Sequence, residues 1–133
     1  MARGFRRSAL AKGFRSGLEE DVAKQIKSKK LKVVYEDKGS VIEYVQPETK
    51  HKYTPDFVLP NGIIIETKGR FTLEDRKKHL LIKEQHPELD IRFVFTNPNG
   101  KIRKGSKTSY ADWCNKNGFK YAKATIPDEW FKE

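Results

Sequence analysis

Two apolar runs, Tyr53–Leu59 and Ile63–Lys68, meet at Pro60-Asn61-Gly62, and this junction constrains the fold more than any other feature of the chain. Asn-Gly alone suggests a two-residue hairpin loop, but that loop needs residue 60 to donate an amide hydrogen that proline lacks. The sequence therefore predicts a three-residue loop, with Pro60 opening a type I turn and Gly62 left-handed in a bulge. Leu59 then faces Ile63 and Phe57 faces Ile65, so Phe57, Leu59, Ile63 and Ile65 share one apolar face. A slip of one residue would turn all four to the other side.

The same register sets Asp56 opposite Glu66 on the second face, with Lys68 two residues further along that side. Directly opposed residues have Cβ atoms roughly 4.5–5.5 Å apart, and like charges there are destabilising. Two carboxylates so placed call for a cation. Lys68 supplies part of that charge, and a hard divalent ion such as Mg²⁺, held by carboxylates, waters and phosphate oxygens, supplies more. The backbone carbonyl of Thr67 is a further candidate ligand. An acid–acid–lysine set on adjoining strands suits phosphodiester hydrolysis. There the metal polarises the phosphoryl oxygen, and an amine of lowered pKa holds or deprotonates the attacking water. The competing reading is a Glu/Lys pair on a solvated strand face.

The remaining sequence reads as one α/β (α+β) domain built on a mixed sheet. With 133 residues the chain fits a single domain. Leu, Ile, Val and Phe make up about a quarter of it, above the fifth or so below which chains stay disordered. Residues 1–15 carry Arg3, Arg6, Arg7, Lys12 and Arg15 with no acid and read as a basic arm; residues 16–133 form the folded domain. Ser16-Gly17-Leu18-Glu19 fits a capping box opening a helix with Leu18, Val22 and Ile26 on one stripe. Leu31–Glu36 and Val41–Gln46 are expected as strands joined at 37–40, and Pro47–Lys50 breaks the pattern. A helix opens at Thr72 and stops before Pro87, Ile91–Thr96 is a central strand, Ser109–Asn117 is a short helix ended by Gly118, and 127–132 is a last turn.

The chain carries 28 Lys or Arg against 18 Asp or Glu, a net charge of +10, which points to a polyanionic partner. The excess gathers in the arm, in Arg70, Arg76, Lys77 and Lys78, and from Arg92 through Lys101, Arg103 and Lys104 to Lys107. Arg15, Arg70, Arg76, Lys77, Lys101 and Lys104 are the expected nucleic-acid contacts, with the 70–78 and 101–107 groups on separate duplex arms. No apolar run approaches the twenty or so residues of a membrane span, and no secretory signal follows the N-terminal charges. The single cysteine, Cys114, excludes an internal disulfide. A cytosolic protein is expected.

Pro55-Asp56 followed by Glu66-Thr67-Lys68 fits the PD-(D/E)xK pattern, and its surroundings are more specific. Phe14-Arg15-Ser16-Gly17-Leu18-Glu19, Tyr53-Thr54-Pro55-Asp56-Phe57, Leu59-Pro60-Asn61-Gly62-Ile63, Asp75-Arg76-Lys77-Lys78-His79-Leu80-Leu81-Ile82 and Glu84-Gln85-His86-Pro87-Glu88-Leu89-Asp90-Ile91-Arg92 together resemble phage endonuclease I. The resemblance runs from about Phe14 to about Trp130. It implies a restriction-endonuclease-like core and a homodimer that resolves four-way (Holliday) DNA junctions by cutting two strands, in the cytoplasm of the host bacterium. It makes Asp56 and Glu66 metal-binding carboxylates and Lys68 the catalytic lysine. Glu19 becomes a further acid of the site, given to the partner because residues 16–46 are exchanged between subunits. Two Mg²⁺ or Mn²⁺ ions per site are implied, with no small-molecule cofactor.

Some readings stay open at this level. Glu19 also suits a capping bond to the Ser16 amide, and Glu20 is its rival for a site role. His79, after three basic residues, is expected at the surface, Cys114 as a small buried residue, and the tyrosines and tryptophans mostly as core. A non-catalytic architectural DNA binder and a nuclease of the same fold acting on linear DNA are the alternatives to a junction resolvase.

Overall fold

The computed structural model describes residues 17–46 and 49–133, so the expected basic arm with Arg15, and the Ser16 side of the expected capping box, lie outside the described residues. In chain order the elements are α1 (Gly17–Ser28), β1 (Val34–Tyr35), β2 (Ile42–Gln46), β3 (Thr49–Tyr53), β4 (Phe57–Val58), β5 (Ile64–Lys68), α2 (Leu73–Gln85), β6 (Ile91–Phe95), α3 (Tyr110–Asn117), β7 (Lys120–Lys123) and α4 (Asp128–Phe131). Five strands make a mixed sheet in the order β1-β4-β5-β6-β7. The pairs β1–β4 and β4–β5 are antiparallel, while β5–β6 and β6–β7 are parallel. Helices flank this central sheet, in agreement with the α/β expectation. No helix among the described residues is long and apolar enough to cross a membrane.

The hairpin has the register its turn chemistry dictates. Phe57 pairs with Ile65 and Val58 with Ile64. The Leu59 amide donates to the Ile63 carbonyl and the Gly62 amide to the Leu59 carbonyl, both at 2.9 Å. Gly62 takes φ +90°, a left-handed conformation that a Cβ would strain. Phe57, Leu59, Ile63 and Ile65 all enter one apolar cluster, closed by Val22 and Ile26 of α1, Val94 of β6, and Ile126 and Trp130 near the C-terminus. The opposite face of the sheet, with Ile64, Phe93 and Phe95, packs on Phe71, Ile82, Trp113, Cys114 and Phe119. Strand β6, Ile91-Arg92-Phe93-Val94-Phe95, is buried on both faces along its whole length, as expected of a central strand with parallel neighbours.

Several expectations need correction. The strands expected at 31–36 and 41–46 do not pair with each other. β1 is only two residues long and joins the edge of the main sheet, whereas β2 pairs with β3 in a separate two-stranded ribbon. Thr49 and Lys50, expected within a break, are the opening residues of β3. The run Tyr53–Leu59 splits into β3 and β4 around Thr54-Pro55-Asp56, where proline cannot donate to a ladder. β7 has no counterpart among the expected strands, because its two end residues are exposed lysines and it shows no apolar alternation. Finally, Arg92 does not belong to a DNA-facing stretch. It is 2% exposed and forms paired hydrogen bonds to the carboxylates of Asp90 and Glu133 at 2.6–2.9 Å.

Candidate active site

The antiparallel ladder between β4 and β5 ends at Phe57, and the site is built where it ends. Asp56 should continue the ladder opposite Glu66, but its amide donates instead to Oε2 of the Glu66 side chain at 2.9 Å. The Asp56 carboxylate turns to Thr67, whose amide and hydroxyl both donate to Oδ2 at 2.9 Å. This corrects the expected picture of two carboxylates in facing slots on one side. Glu66 and Lys68 lie on the α2 side of β5, while the Asp56 side chain reaches round to the α1 side. The Thr67 groups seen to act are its amide and hydroxyl, which hold Asp56.

On the α1 side Asp56 meets two further acids. Carboxylate oxygens of Glu19, Glu36 and Asp56 lie within 4.8 Å of one another. Glu19 and Asp56 are 4% and 2% exposed, so water screens charge there only weakly. Glu19 projects from the first turn of α1 and accepts a 2.6 Å hydrogen bond from the Tyr35 hydroxyl. Burial first, and then the Glu19 bond, push the Tyr35 hydroxyl far above its usual range. Glu20, the rival, is also buried, but it lies 3.5 Å from Lys24 and outside the three-acid group.

Glu36 is a member of this acid group that sequence reasoning misses. It follows β1 directly and has φ +40°, a left-handed backbone unusual for a residue with a Cβ. Its amide reaches the Asp56 carbonyl at 3.3 Å. Such strain persists where the surroundings impose it, and it is often found at functional sites. The only sequence signal is an acid at the end of an alternating strand, which many surfaces share.

On the α2 side the Glu66 carboxylate accepts from the Tyr53 hydroxyl at 2.7 Å as well as from the Asp56 amide. Burial, and then the charge of Asp56, push Glu66 up to about 8 despite those bonds and Lys68. The Lys68 ammonium stands 3.8 Å from Glu66 Oε1 and 3.4 Å from Asp75 Oδ1. Asp75 divides its oxygens between two tasks. Oδ2 accepts from the Thr72 amide to cap α2, and Oδ1 faces Lys68. His79 is fully buried, contrary to the surface expectation, with Nε2 3.9 Å from Glu66 Oε1 and its ring edge-on to Tyr53 and Phe93. Burial and the charges of Lys68 and Lys78 hold it well below the usual histidine range, hence neutral.

The basic residues sort differently from expectation. Arg70, Lys101, Arg103 and Lys104 line a single hollow of about 990 Å³, so the 70s and 100s are not wholly separate surfaces. Arg76 is buried and donates to the carbonyls of Phe71 and Ile102 at 2.6 and 3.1 Å, tying α2 to the loop that carries Lys101 and Lys104. It is a strut. Lys77 and Lys78 line a second, smaller hollow with Asp75, Tyr44 and His51.

This donor set suits a hard divalent ion. The oxygens of Glu19, Glu36 and Asp56 are close enough to share one cation, and Glu66 is a buried carboxyl whose ionised form lacks enough positive charge. The model of the phage endonuclease I family matches residues 1–133. Endonuclease I of Escherichia phage T7 is 54% identical over 132 residues, covering 99% of this chain and 85% of the relative. Endodeoxyribonuclease 1 of Enterobacteria phage T3 is 56% identical over 127 residues, covering 96% of this chain and 82% of the relative. A buried acid cluster beside a lysine, in a chain matched along its whole length, leads to one assignment: the chain belongs to the phage endonuclease I family.

Proposed function

We propose that this protein is a metal-dependent DNA endonuclease of the PD-(D/E)xK superfamily that resolves four-way junctions. In this reading it works as a homodimer in the bacterial cytoplasm, one site cutting each of two strands. The observation that carries it is the convergence of Glu19, Glu36 and Asp56 within 4.8 Å next to Glu66 and Lys68, on a strongly basic chain. The family match and the names of the two relatives support cleavage of DNA as the reaction.

Asp56, Glu66, Glu19, Glu36 and the Thr67 carbonyl would hold two Mg²⁺ or Mn²⁺ ions. Bound there, the metals supply positive charge to the phosphoryl oxygen and acidify water. The protein's own groups do the rest. Thr67 fixes the Asp56 carboxylate through its amide and hydroxyl, and Tyr53 with the Asp56 amide fixes Glu66. Lys68, held as an ammonium between Glu66 and Asp75, orients the attacking water by donating a hydrogen bond to its oxygen. The products are 5′-phosphate and 3′-hydroxyl ends. Arg70, Lys101 and Lys104 grip phosphates from their common hollow, and backbone contacts of this kind read shape rather than base sequence.

Exchange of residues 16–46 between subunits belongs to the same proposal. The docking of α1 against β5 within one chain supplies the contact that exchange would reproduce between two. Cleavage of four-way, nicked and linear DNA in Mg²⁺ tests the whole reading. Wild type should prefer the junction, and Lys68→Ala should lose cleavage. Equal cutting by both would overturn the mechanism.

A further inference from the structure

Lys78 is a cation near the acids that no acid has claimed. It lies one turn beyond Asp75 on α2, and its ammonium sits 5.1 Å from the centroid of the Tyr53 ring, whose hydroxyl binds Glu66. It is half-buried, yet among the described residues it makes no hydrogen bond and no ion pair. Lys68, by contrast, already has Glu66 and Asp75. Burial lowers the Lys78 ammonium from its ordinary value although the charges of Glu66 and Asp75 act the other way. It opens onto the hollow of about 320 Å³ shared with Lys77, Asp75, Tyr44 and His51.

A lysine whose only role was to cover Tyr53 with its methylene stem would carry its head out to water. This one keeps its head over the ring, beside a site that attracts cations. The missing partner is therefore an anion brought in from outside, and the strand being cut carries one on every nucleotide. We propose that Lys78 binds a non-bridging oxygen of the phosphate next to the scissile one, on the strand cut at Glu66 and Lys68. This rests on the nuclease reading above. Lys68 serves the reacting phosphate, and Lys78 fixes the adjoining backbone so that the scissile bond lies at the acids.

The test is single-turnover cleavage of a four-way junction in saturating Mg²⁺, with a neutral methylphosphonate placed at each phosphate flanking the cut in turn. Wild type, Lys78→Met and Lys78→Arg are compared, with Lys116→Met, an exposed lysine outside both hollows, expected to cut like wild type. Lys78→Met should cut the unmodified junction roughly 10- to 100-fold more slowly. Lys78→Arg should recover much of that loss, which separates lost charge from misfolding. At one flanking position the methylphosphonate should slow wild type but leave Lys78→Met unchanged. The inference is overturned if Lys78→Met cuts as fast as wild type, or if the methylphosphonates slow both proteins equally at every position. Failure of wild type to cut the unmodified junction would overturn the nuclease reading itself, and this inference with it.

Discussion

The buried Glu66 carboxyl makes the metal-free protein's stability depend on pH in a way that one substitution should remove. Its folded-state pKa is pushed up to about 8 from an ordinary 4.5, first by burial and then by Asp56. Between those values the folded chain keeps a proton that the unfolded chain releases. The stability contributed by this group is therefore fully present below about pH 4.5 and is lost as pH rises through about 8. At about 1.4 kcal/mol per pH unit, the interval corresponds to roughly 5 kcal/mol, an upper bound for one group. Glu66→Gln keeps a carbonyl oxygen for the Tyr53 hydroxyl and the Asp56 amide while removing the titration. Urea unfolding in EDTA at about pH 5, 6, 7 and 8 measures the difference. Wild type should lose several kcal/mol more than the variant across that range, and Mg²⁺ should restore most of it at the alkaline end in wild type alone. Parallel stability profiles for the two proteins would refute the reasoning.

Three more expectations follow from burial and exposure. Arg76→Ala should destabilise the fold by about 2 kcal/mol by stranding the Phe71 and Ile102 carbonyls, read as a lower urea midpoint. Lys104→Ala should leave urea stability nearly unchanged and lower the salt slope of DNA binding by about one. Cys114, fully buried with its thiol pushed up to about 12, should resist iodoacetamide at mildly alkaline pH until the chain is unfolded; rapid stoichiometric alkylation of native protein would contradict this.

The parts of the fold that are legible in the sequence are those governed by neighbours along the chain. Pro60 and Gly62 dictate the hairpin register through one missing amide and one positive φ, and Thr72 with Asp75 announces the start of α2. The choice of partners for 31–36 and 41–46 is not legible. β1 takes its place beside β4 (Phe57–Val58) and β2 beside β3 (Thr49–Tyr53), although the two runs are adjacent in sequence and alternate alike. Alternation fixes which face of a strand is buried and is silent about which strand lies next to it.

The site is legible in its residue types more than in its geometry. Asp56, Glu66 and Lys68 stand out because turn chemistry puts them on adjoining strands. The rotation of Asp56 toward Thr67 follows from the ladder ending at Phe57, which the sequence does not mark. His79 is hidden by its charged neighbours, although Arg76, His79 and Ile82 recur every three residues on the buried side of α2. That spacing is the available signal.

The candidate site straddles a strand instead of lying on one surface. Glu19, Glu36 and Asp56 gather on the α1 side of β5, and Glu66, Lys68 and Asp75 on the α2 side. Of the three acids on the α1 side only Glu19 is carried by α1, so the full group is assembled only when that helix is seated. A chain whose N-terminal helix is not yet docked therefore lacks one carboxylate of the group, whatever the state of its sheet.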